Sequence, residues 1–297
     1  MNAATTRTPV RFRNILYITD FSQAAARAIP YVKKIAEHYG SHLVALYMRP
    51  PVTNPMLPIG TLPIDIEVAD ANDEKERSEL LNMFAGIPSK VLIEEGTIQT
   101  CLTAVMEKNS TDLVVMGTEG RSEPGKLLLG SVAEEIFRSV SCPVLIVGPR
   151  AKAPGAEFHQ ILYATDLSPE SQVATPYAVS LAEEFQSRLI LLYVVPEQKP
   201  EGLVVPVNVE ATLDTQLRKL IPTDDAVRCE AEYYLEGGNP AENILRFAEC
   251  RQTDLIVLAA RPEDRISRIA ATHLASGTVH KVVSLAECPV LTIRDQG

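Results

Sequence analysis

Three glycines and a serine stand at a spacing that suits a bound phosphate. Gly117 and Gly120 are followed, after nine intervening residues, by Gly130 and Ser131. An apolar, strand-like run directly precedes Gly117, and a helix-like run begins at Ser131. Glycine permits a positive φ or a close approach of the backbone to a ligand, and N–H groups at a helix start attract anions. The pattern predicts a nucleotide phosphate site in a strand–loop–helix unit; the alternative is a simple turn followed by an ordinary helix start.

The same loop carries charges of both signs. Glu119 and Glu123 flank it, and a carboxylate repels a polyphosphate by about 1 kcal/mol per charge pair at ~4 Å in water. Arg121 and Lys126 oppose this repulsion. The charges therefore bear on the affinity and on the preference between ATP and AMP more than on the existence of the site.

The chain repeats itself at the length of a domain. Residues 14–47 align without a gap with residues 160–193, so that Thr19-Asp20 matches Thr165-Asp166. Each half also ends on a Cys-Pro-Val-Leu segment. A repeat of this length indicates two domains and not a solenoid, and we place them at 1–150 and 151–297.

Each half alternates short apolar runs with amphipathic segments, including predicted helices over 23–39 and 169–185. This alternation predicts an α/β fold of two tandem, doubly wound, parallel five-stranded sheets with helices on both faces. Continuous apolar strands are typical of sheets covered on both sides. Ligands bind such sheets beyond the carboxyl ends of the strands. Asp20 and Gly117 both fall there, at what should be the same edge.

The second half has lost the glycine pattern. The replacements are Ala259 for Gly117, Pro262 for Gly120, and Ser276-Gly277 for Gly130-Ser131. Proline lacks an N–H group and fixes φ, so it does not substitute for a loop glycine. We expect this half not to bind a nucleotide in the same way.

These residues give the chain a resemblance to a known family. It resembles a tandem universal stress protein, with two UspA-type domains of the adenine-nucleotide α-hydrolase-like superfamily, over nearly its whole length. The resemblance implies an adenine nucleotide as cofactor: ATP with or without Mg²⁺, or ADP or AMP.

The resemblance also implies a role for individual positions. Thr19 and Asp20 would lie beside the adenine and ribose, and the backbone of Val44 would meet the adenine edge. The remaining expected cofactor-binding residues line the ribose and phosphate path or contact the phosphates: Met116, Gly117, Gly120, Arg121, Gly130, Ser131 and Val132. Relatives form dimers through their last strands, so we expect the two halves to pair within the chain, with a homodimer of chains as a further possibility.

Three functions follow from this interpretation. The first is a stress-response module that binds ATP in its first half. The second is a slow ATPase or self-phosphorylating enzyme, for which Glu119 or Glu123 is the only visible general base; we assign no catalytic residue and favour the binding module. The third is an interaction scaffold that binds no nucleotide.

Composition narrows the possible partners and setting. The net charge is −10 without a basic stripe, which argues against nucleic acid as a partner. No apolar stretch reaches the ~18 residues of a membrane span. Five cysteines without a CxxC motif indicate reduced thiols and a cytoplasmic setting. Cys142 and Cys288 precede the last strand of each half, where we expect them to pack in the core.

Overall fold

The computed structural model describes ten stretches of the chain. They are residues 9–49, 66–95, 97–118, 121–123, 126–128, 131–152, 157–195, 209–221, 229–260 and 277–294.

Both halves alternate strands with helices. The first half contains β1 (Asn14–Thr19), α1 (Gln23–Tyr39), β2 (His42–Arg49), α2 (Ile66–Met83), β3 (Ser89–Glu95), α3 (Ile98–Asn109), β4 (Leu113–Gly117), β5 (Arg121–Glu123), β6 (Lys126–Leu128), α4 (Ser131–Ser139) and β7 (Val144–Val147). The second contains β8 (Gln160–Thr165), α5 (Pro169–Gln172), α6 (Thr175–Glu184), β9 (Arg188–Val195), α7 (Val209–Lys219), β10 (Ala231–Gly237), α8 (Pro240–Cys250), β11 (Leu255–Ala260), α9 (Thr278–Leu285) and β12 (Val290–Arg294).

Each half forms a parallel five-stranded sheet, as the sequence predicts. The strand order is β3-β2-β1-β4-β7 in the first half and β10-β9-β8-β11-β12 in the second. The two sheets join at their last strands, where β12 runs antiparallel to β7 and Leu291 pairs with Leu145. Thr292 adds a hydrogen bond from its hydroxyl to the carbonyl oxygen of Val144, at 3.2 Å. The halves therefore share one ten-stranded sheet.

A local twofold axis relates the halves at this junction. Leu145 and Leu291 are equivalent positions of the repeat, and so are His38 and Glu184, which lie 146 residues apart and approach to 3.2 Å. The ring of His38 also stacks on Phe185 at 4.3 Å. The interface thus has the symmetry of a homodimer, but the equivalent positions carry different residues, His38 in the first half and Glu184 in the second.

The core lies on both faces of the common sheet. Alternate residues of β1 point to opposite sides, with Ile15 and Tyr17 in one buried cluster and Leu16 and Ile18 in the other. Both clusters run through the two halves. This double coverage explains the unbroken apolar strands of the sequence.

Two elements differ from the prediction. The helix predicted over 23–39 is present as α1, whereas its counterpart over 169–185 is interrupted between α5 and α6. Pro176, which has no N–H group to donate to the preceding turn, lies just after the interruption. The segment after β4, which was expected to be a loop, contains the antiparallel pair β5–β6. In the described stretches of chain, no helix has the length and apolar character that crossing a bilayer requires.

Candidate functional site

The turn after β1 is built from the side chains of Thr19 and Asp20. The Thr19 hydroxyl accepts a hydrogen bond from the N–H of Phe21, and the Asp20 Oδ1 accepts one from the N–H of Ser22, each at 3.0 Å. Phe21 has a positive φ of 59°. Ser22 then caps α1 by accepting from the N–H of Ala25. The turn therefore leads directly into α1 and leaves the Asp20 side chain exposed at the carboxyl edge of the sheet.

The second half builds the same turn. Thr165 accepts from the N–H of Leu167, and Asp166 accepts from the N–H of Ser168, again at 3.0 Å. Leu167 has a φ of 62°. Since the half that lost the glycine pattern keeps this turn, the repeated Thr-Asp pair is explained by folding. Its presence in both halves is therefore not by itself evidence of a ligand.

A cleft of about 300 Å³ opens beside Asp20. It lies where β1 and β2 end against α2, and its lining consists of Asp20, Phe21, Tyr47, Lys75, Glu76 and Glu79. The rings of Phe21 and Tyr47 meet edge to face at 5.0 Å. Three carboxylates face one ammonium group in this lining, so the cleft suits hydrogen-bond donors better than phosphates.

Val44 and Met116 lie inside the sheet. Val44 is buried in the middle of β2, with Leu16 and Lys90 as its neighbours on the flanking strands. Met116 is buried near the end of β4, between Ile18 and Ile146. Because β2 pairs with β1 and β3, and β4 pairs with β1 and β7, the backbone groups of these two residues take part in the ladders of the sheet.

Gly117 lies at the end of β4, where α1 passes close to the strand. A Cβ at this position would lie 1.8 Å from the carbonyl oxygen of Ala24 and 2.8 Å from the Cα of Ala25. Glycine is therefore required here by the packing of α1. The contact also fixes the distance between the turn that contains Asp20 and the loop that follows β4.

The predicted phosphate loop is described in part. Arg121 pairs with Leu128 across β5 and β6, and α4 begins at Ser131 with Val132 in its first turn. Gly120 and Gly130 lie outside the described residues, as do the side chains of Arg121, Ser131 and Val132. The backbone thus leads from the edge that carries Asp20, through a short hairpin, to a helix start.

Two tyrosines hold the first helices of the halves against their sheets. The hydroxyl of Tyr17 donates to the carbonyl oxygen of Ala25 at 2.9 Å, and Tyr163 donates to that of Ser171 at 2.8 Å. Burial raises the pKa of Tyr17 to about 12, so its phenol stays protonated near neutral pH. The phenol therefore joins β1 to the start of α1 as a neutral hydrogen-bond donor.

Sequence reasoning did not identify five of the six residues that line the cleft. Phe21 follows Asp20 in the turn, and Tyr47 lies two residues before the end of β2. Lys75, Glu76 and Glu79 lie on α2 among many other charged residues. No spacing in the sequence singles them out. Only the packing of α2 against the end of β2 reveals them.

The comparisons with known proteins agree with this architecture. The model of the "Universal stress protein family" matches residues 11–148 and again residues 157–294. A universal stress protein of Synechocystis is 25% identical over 311 residues, which cover 95% of this chain and the whole of that protein. A universal stress protein of Methanocaldococcus jannaschii is 28% identical over 139 residues, covering 46% of this chain and 82% of that protein.

One solved structure resembles the whole chain. It is a universal stress protein from Archaeoglobus fulgidus, with a TM-score of 0.71 and 19% sequence identity, covering 95% of this chain and 98% of that one. At this identity the likeness concerns the fold. The ten-stranded arrangement of two joined halves therefore has a counterpart in a solved structure.

Proposed function

Because the chain belongs to the universal stress protein family, we propose that it binds an adenine nucleotide in its first half. The observation that carries the proposal is the arrangement at one sheet edge, where the cleft beside Asp20 adjoins the loop that begins at Gly117. Parallel α/β sheets bind ligands at this edge. We assign the halves to domains 1–150 and 151–297.

The charges of the site suggest how the nucleotide lies. The carboxylates of Asp20, Glu76 and Glu79 are hydrogen-bond acceptors, which suit ribose hydroxyls and the amino group of adenine. Among the described residues, Oδ2 of Asp20 makes no hydrogen bond, because the turn uses Oδ1. The phosphates would instead lie along the loop from Gly117 to Ser131, away from these carboxylates. Gly120, Gly130, Ser131 and Val132 are the proposed phosphate contacts, with Arg121 close by.

The proposed ligand is ATP, with or without Mg²⁺, and ADP or AMP are the alternatives. Nucleotide binding occurs in the family, since one solved universal stress protein is a complex with cAMP. The proposed role is that of a cytoplasmic stress-response module without catalytic turnover. A cytoplasmic setting agrees with the five cysteines, all of which are free thiols.

The second half is proposed to act as a structural partner. Ala259 stands where the first half has Gly117, and α5 and α6 replace the continuous α1. Its β12 completes the sheet beside β7. The intrachain junction occupies the last strand of each half, so the proposal needs no second copy of the chain.

An interaction scaffold that binds no nucleotide remains the main competing function. It is favoured by the packing role of Gly117, because a glycine that the fold requires is not evidence of a phosphate. The decisive evidence must therefore come from binding.

The test is a calorimetric titration of ATP with Mg²⁺ into the full-length protein and into two matched variants. Asp20→Ala and Asp166→Ala each remove the same backbone hydrogen bond from the same turn, and Asp166→Ala also removes the bond from the hydroxyl of Ser168. Asp166→Ala should therefore cost at least as much stability, but only Asp20→Ala should weaken ATP binding, by roughly tenfold or more for a lost charge-assisted hydrogen bond. Equal effects of the two variants on binding, or no binding to the wild type freed of co-purified nucleotide, would refute the proposal.

A further inference from the structure

Two buried polar groups at the start of the loop after β4 are unpaired within the described part of the chain. Thr118 is 3% exposed, and among the described residues its Oγ1 has no hydrogen-bond partner. The same holds for the buried Nε of Arg27, whose Nη2 lies 3.5 Å from the carbonyl oxygen of Thr118, at the outer limit of a hydrogen bond. Buried polar groups are normally paired. Unpaired groups at a ligand-binding edge point to a ligand atom as their partner.

The fold holds both groups at the same place. Thr118 follows Gly117 directly, and Arg27 lies one turn beyond Ala24, the residue that packs on Gly117. The N–H of Thr118 bonds the carbonyl oxygen of Val147 at 3.0 Å, which fixes the backbone here. The guanidinium of Arg27 therefore lies beside the backbone of Thr118, at the point where the chain leaves the sheet.

The second half provides an internal comparison. In the alignment of the halves, Arg27 corresponds to Val173 and Thr118 to Ala260. Both polar groups are thus absent from the half that also has Ala259 in place of Gly117. The turn formed by Thr165 and its neighbours is nevertheless retained there with the same hydrogen bonds. Arg27 and Thr118 accompany the glycine loop and are not needed for the fold of a half.

We infer that Arg27 and Thr118 form an anion subsite that binds the phosphates of the nucleotide; this inference rests on the function proposed above. A guanidinium presents several donors in a planar fork that matches phosphate oxygens. It supplies positive charge at the start of the loop after β4, whereas the lining of the cleft carries the three carboxylates of Asp20, Glu76 and Glu79. The site should therefore favour a phosphate-bearing ligand over a nucleoside.

The experiment separates the phosphate contact from the adenine contact. ATP, adenosine and inorganic tripolyphosphate are titrated into the full-length wild type, Arg27→Gln, Arg27→Lys and the control Lys33→Gln, which removes one positive charge from the same helix. Arg27→Gln should weaken ATP and tripolyphosphate binding roughly tenfold or more and leave adenosine binding unchanged. Arg27→Lys should recover part of the loss, and Lys33→Gln should bind like the wild type.

A second variant tests the hydroxyl through stability and binding together. Thr118→Val removes a buried unpaired hydroxyl, so it should raise the thermal midpoint of the free protein while it weakens ATP binding. A purely structural hydroxyl would give a lower midpoint and unchanged binding, which would overturn its place in the subsite.

The remaining outcomes also decide between the two claims. Equal ATP affinity of the wild type and Arg27→Gln, or an equal loss of adenosine and ATP binding, overturns the subsite and leaves nucleotide binding standing. If tripolyphosphate binding depends on Arg27, but adenosine does not bind and ATP binds no more tightly than tripolyphosphate, the subsite stands and the adenine assignment is overturned. A wild type that binds none of the three ligands overturns both.

Discussion

Replacing Gly117 by alanine tests the packing at the centre of the site. The new methyl carbon would lie 1.8 Å from the carbonyl oxygen of Ala24, whereas real contacts of a Cβ essentially never fall below 3.0 Å. The obstructing atoms belong to the backbone of α1, so no side-chain rotation relieves the overlap. The helix start must move away from β4 by more than about 1 Å.

The expected loss of stability is the difference between two effects. Overpacking of this kind costs about 3 kcal/mol, the upper end of the usual range, because a backbone must shift. Exchange of glycine for alanine restricts the unfolded chain and returns roughly 0.5 kcal/mol. The net loss of about 2.5 kcal/mol should lower the thermal midpoint by roughly 5 °C in a chain of this size.

The assay is thermal unfolding followed by circular dichroism, with Gly237→Ala as the control. A Cβ added at Gly237 would meet no atom within 4 Å, so this alanine variant should change the free energy of unfolding by no more than ~0.5 kcal/mol. Equal midpoints of the two variants would refute the packing argument. Loss of ATP binding by Gly117→Ala at an unchanged midpoint would show that the glycine serves the ligand instead.

Three further predictions concern the junction, alkaline pH and the thiols. Gly148→Ala places a Cβ 2.3 Å from the carbonyl oxygen of Val283 in the other half, so it should lower stability by ~2 kcal/mol in urea unfolding; unchanged stability would contradict the close approach of the halves. Burial raises the pKa of Tyr17 to about 12, so the stability that comes from burying its protonated phenol is present below pH 10 and is lost as the pH rises towards 12. The loss in the free energy of unfolding is about 1.4 kcal/mol per pH unit. Tyr17→Phe should reduce this alkaline loss, and equal slopes of unfolding free energy against pH in the two proteins would refute the assignment. Iodoacetamide should label the exposed Cys250 in the native protein but not Cys288, which is buried and whose pKa burial raises to about 12; mass spectrometry of the native digest that found Cys288 labelled first would contradict its burial.

The fold was predictable because its strands are buried on both faces. Such strands appear in the sequence as unbroken apolar runs. Because the halves repeat, each predicted strand of one half was supported by an apolar run at the equivalent position of the other. The antiparallel pairing of β7 with β12 could be expected only from the resemblance, since no pattern within either strand encodes the direction of its partner. Its register follows from the packing of the halves around Leu145 and Leu291.

The break between α5 and α6 shows that the proline alone does not decide where a helix is interrupted. Pro30 and Pro176 occupy equivalent positions, yet α1 continues through Pro30 and only the second half is interrupted. The residues before Pro30 are mostly alanine, the strongest helix former, whereas those before Pro176 include Ser, Val and Thr. A packing difference accompanies this one, since Gly117 of the first half is replaced by Ala259 in the second.

The candidate site was predictable at the level of the sheet edge. The turn at Asp20 and the end of β4 at Gly117 do lie at the same edge, because parallel strands end together. The cleft residues of α2 were not predictable, since their partner is a strand end far away in the sequence. Arg27 has the appearance of an ordinary surface cation on a helix until its neighbour Thr118 is known.

The number of nucleotides that each chain binds can be counted by native mass spectrometry of the full-length protein with ATP and Mg²⁺. The measurement counts the nucleotides bound per chain, both as purified and after addition of ATP, and includes Gly130→Val as a variant of the predicted phosphate loop. We expect one nucleotide per chain in the wild type and none in the variant. Two nucleotides per chain, none, or one that survives Gly130→Val would contradict this expectation.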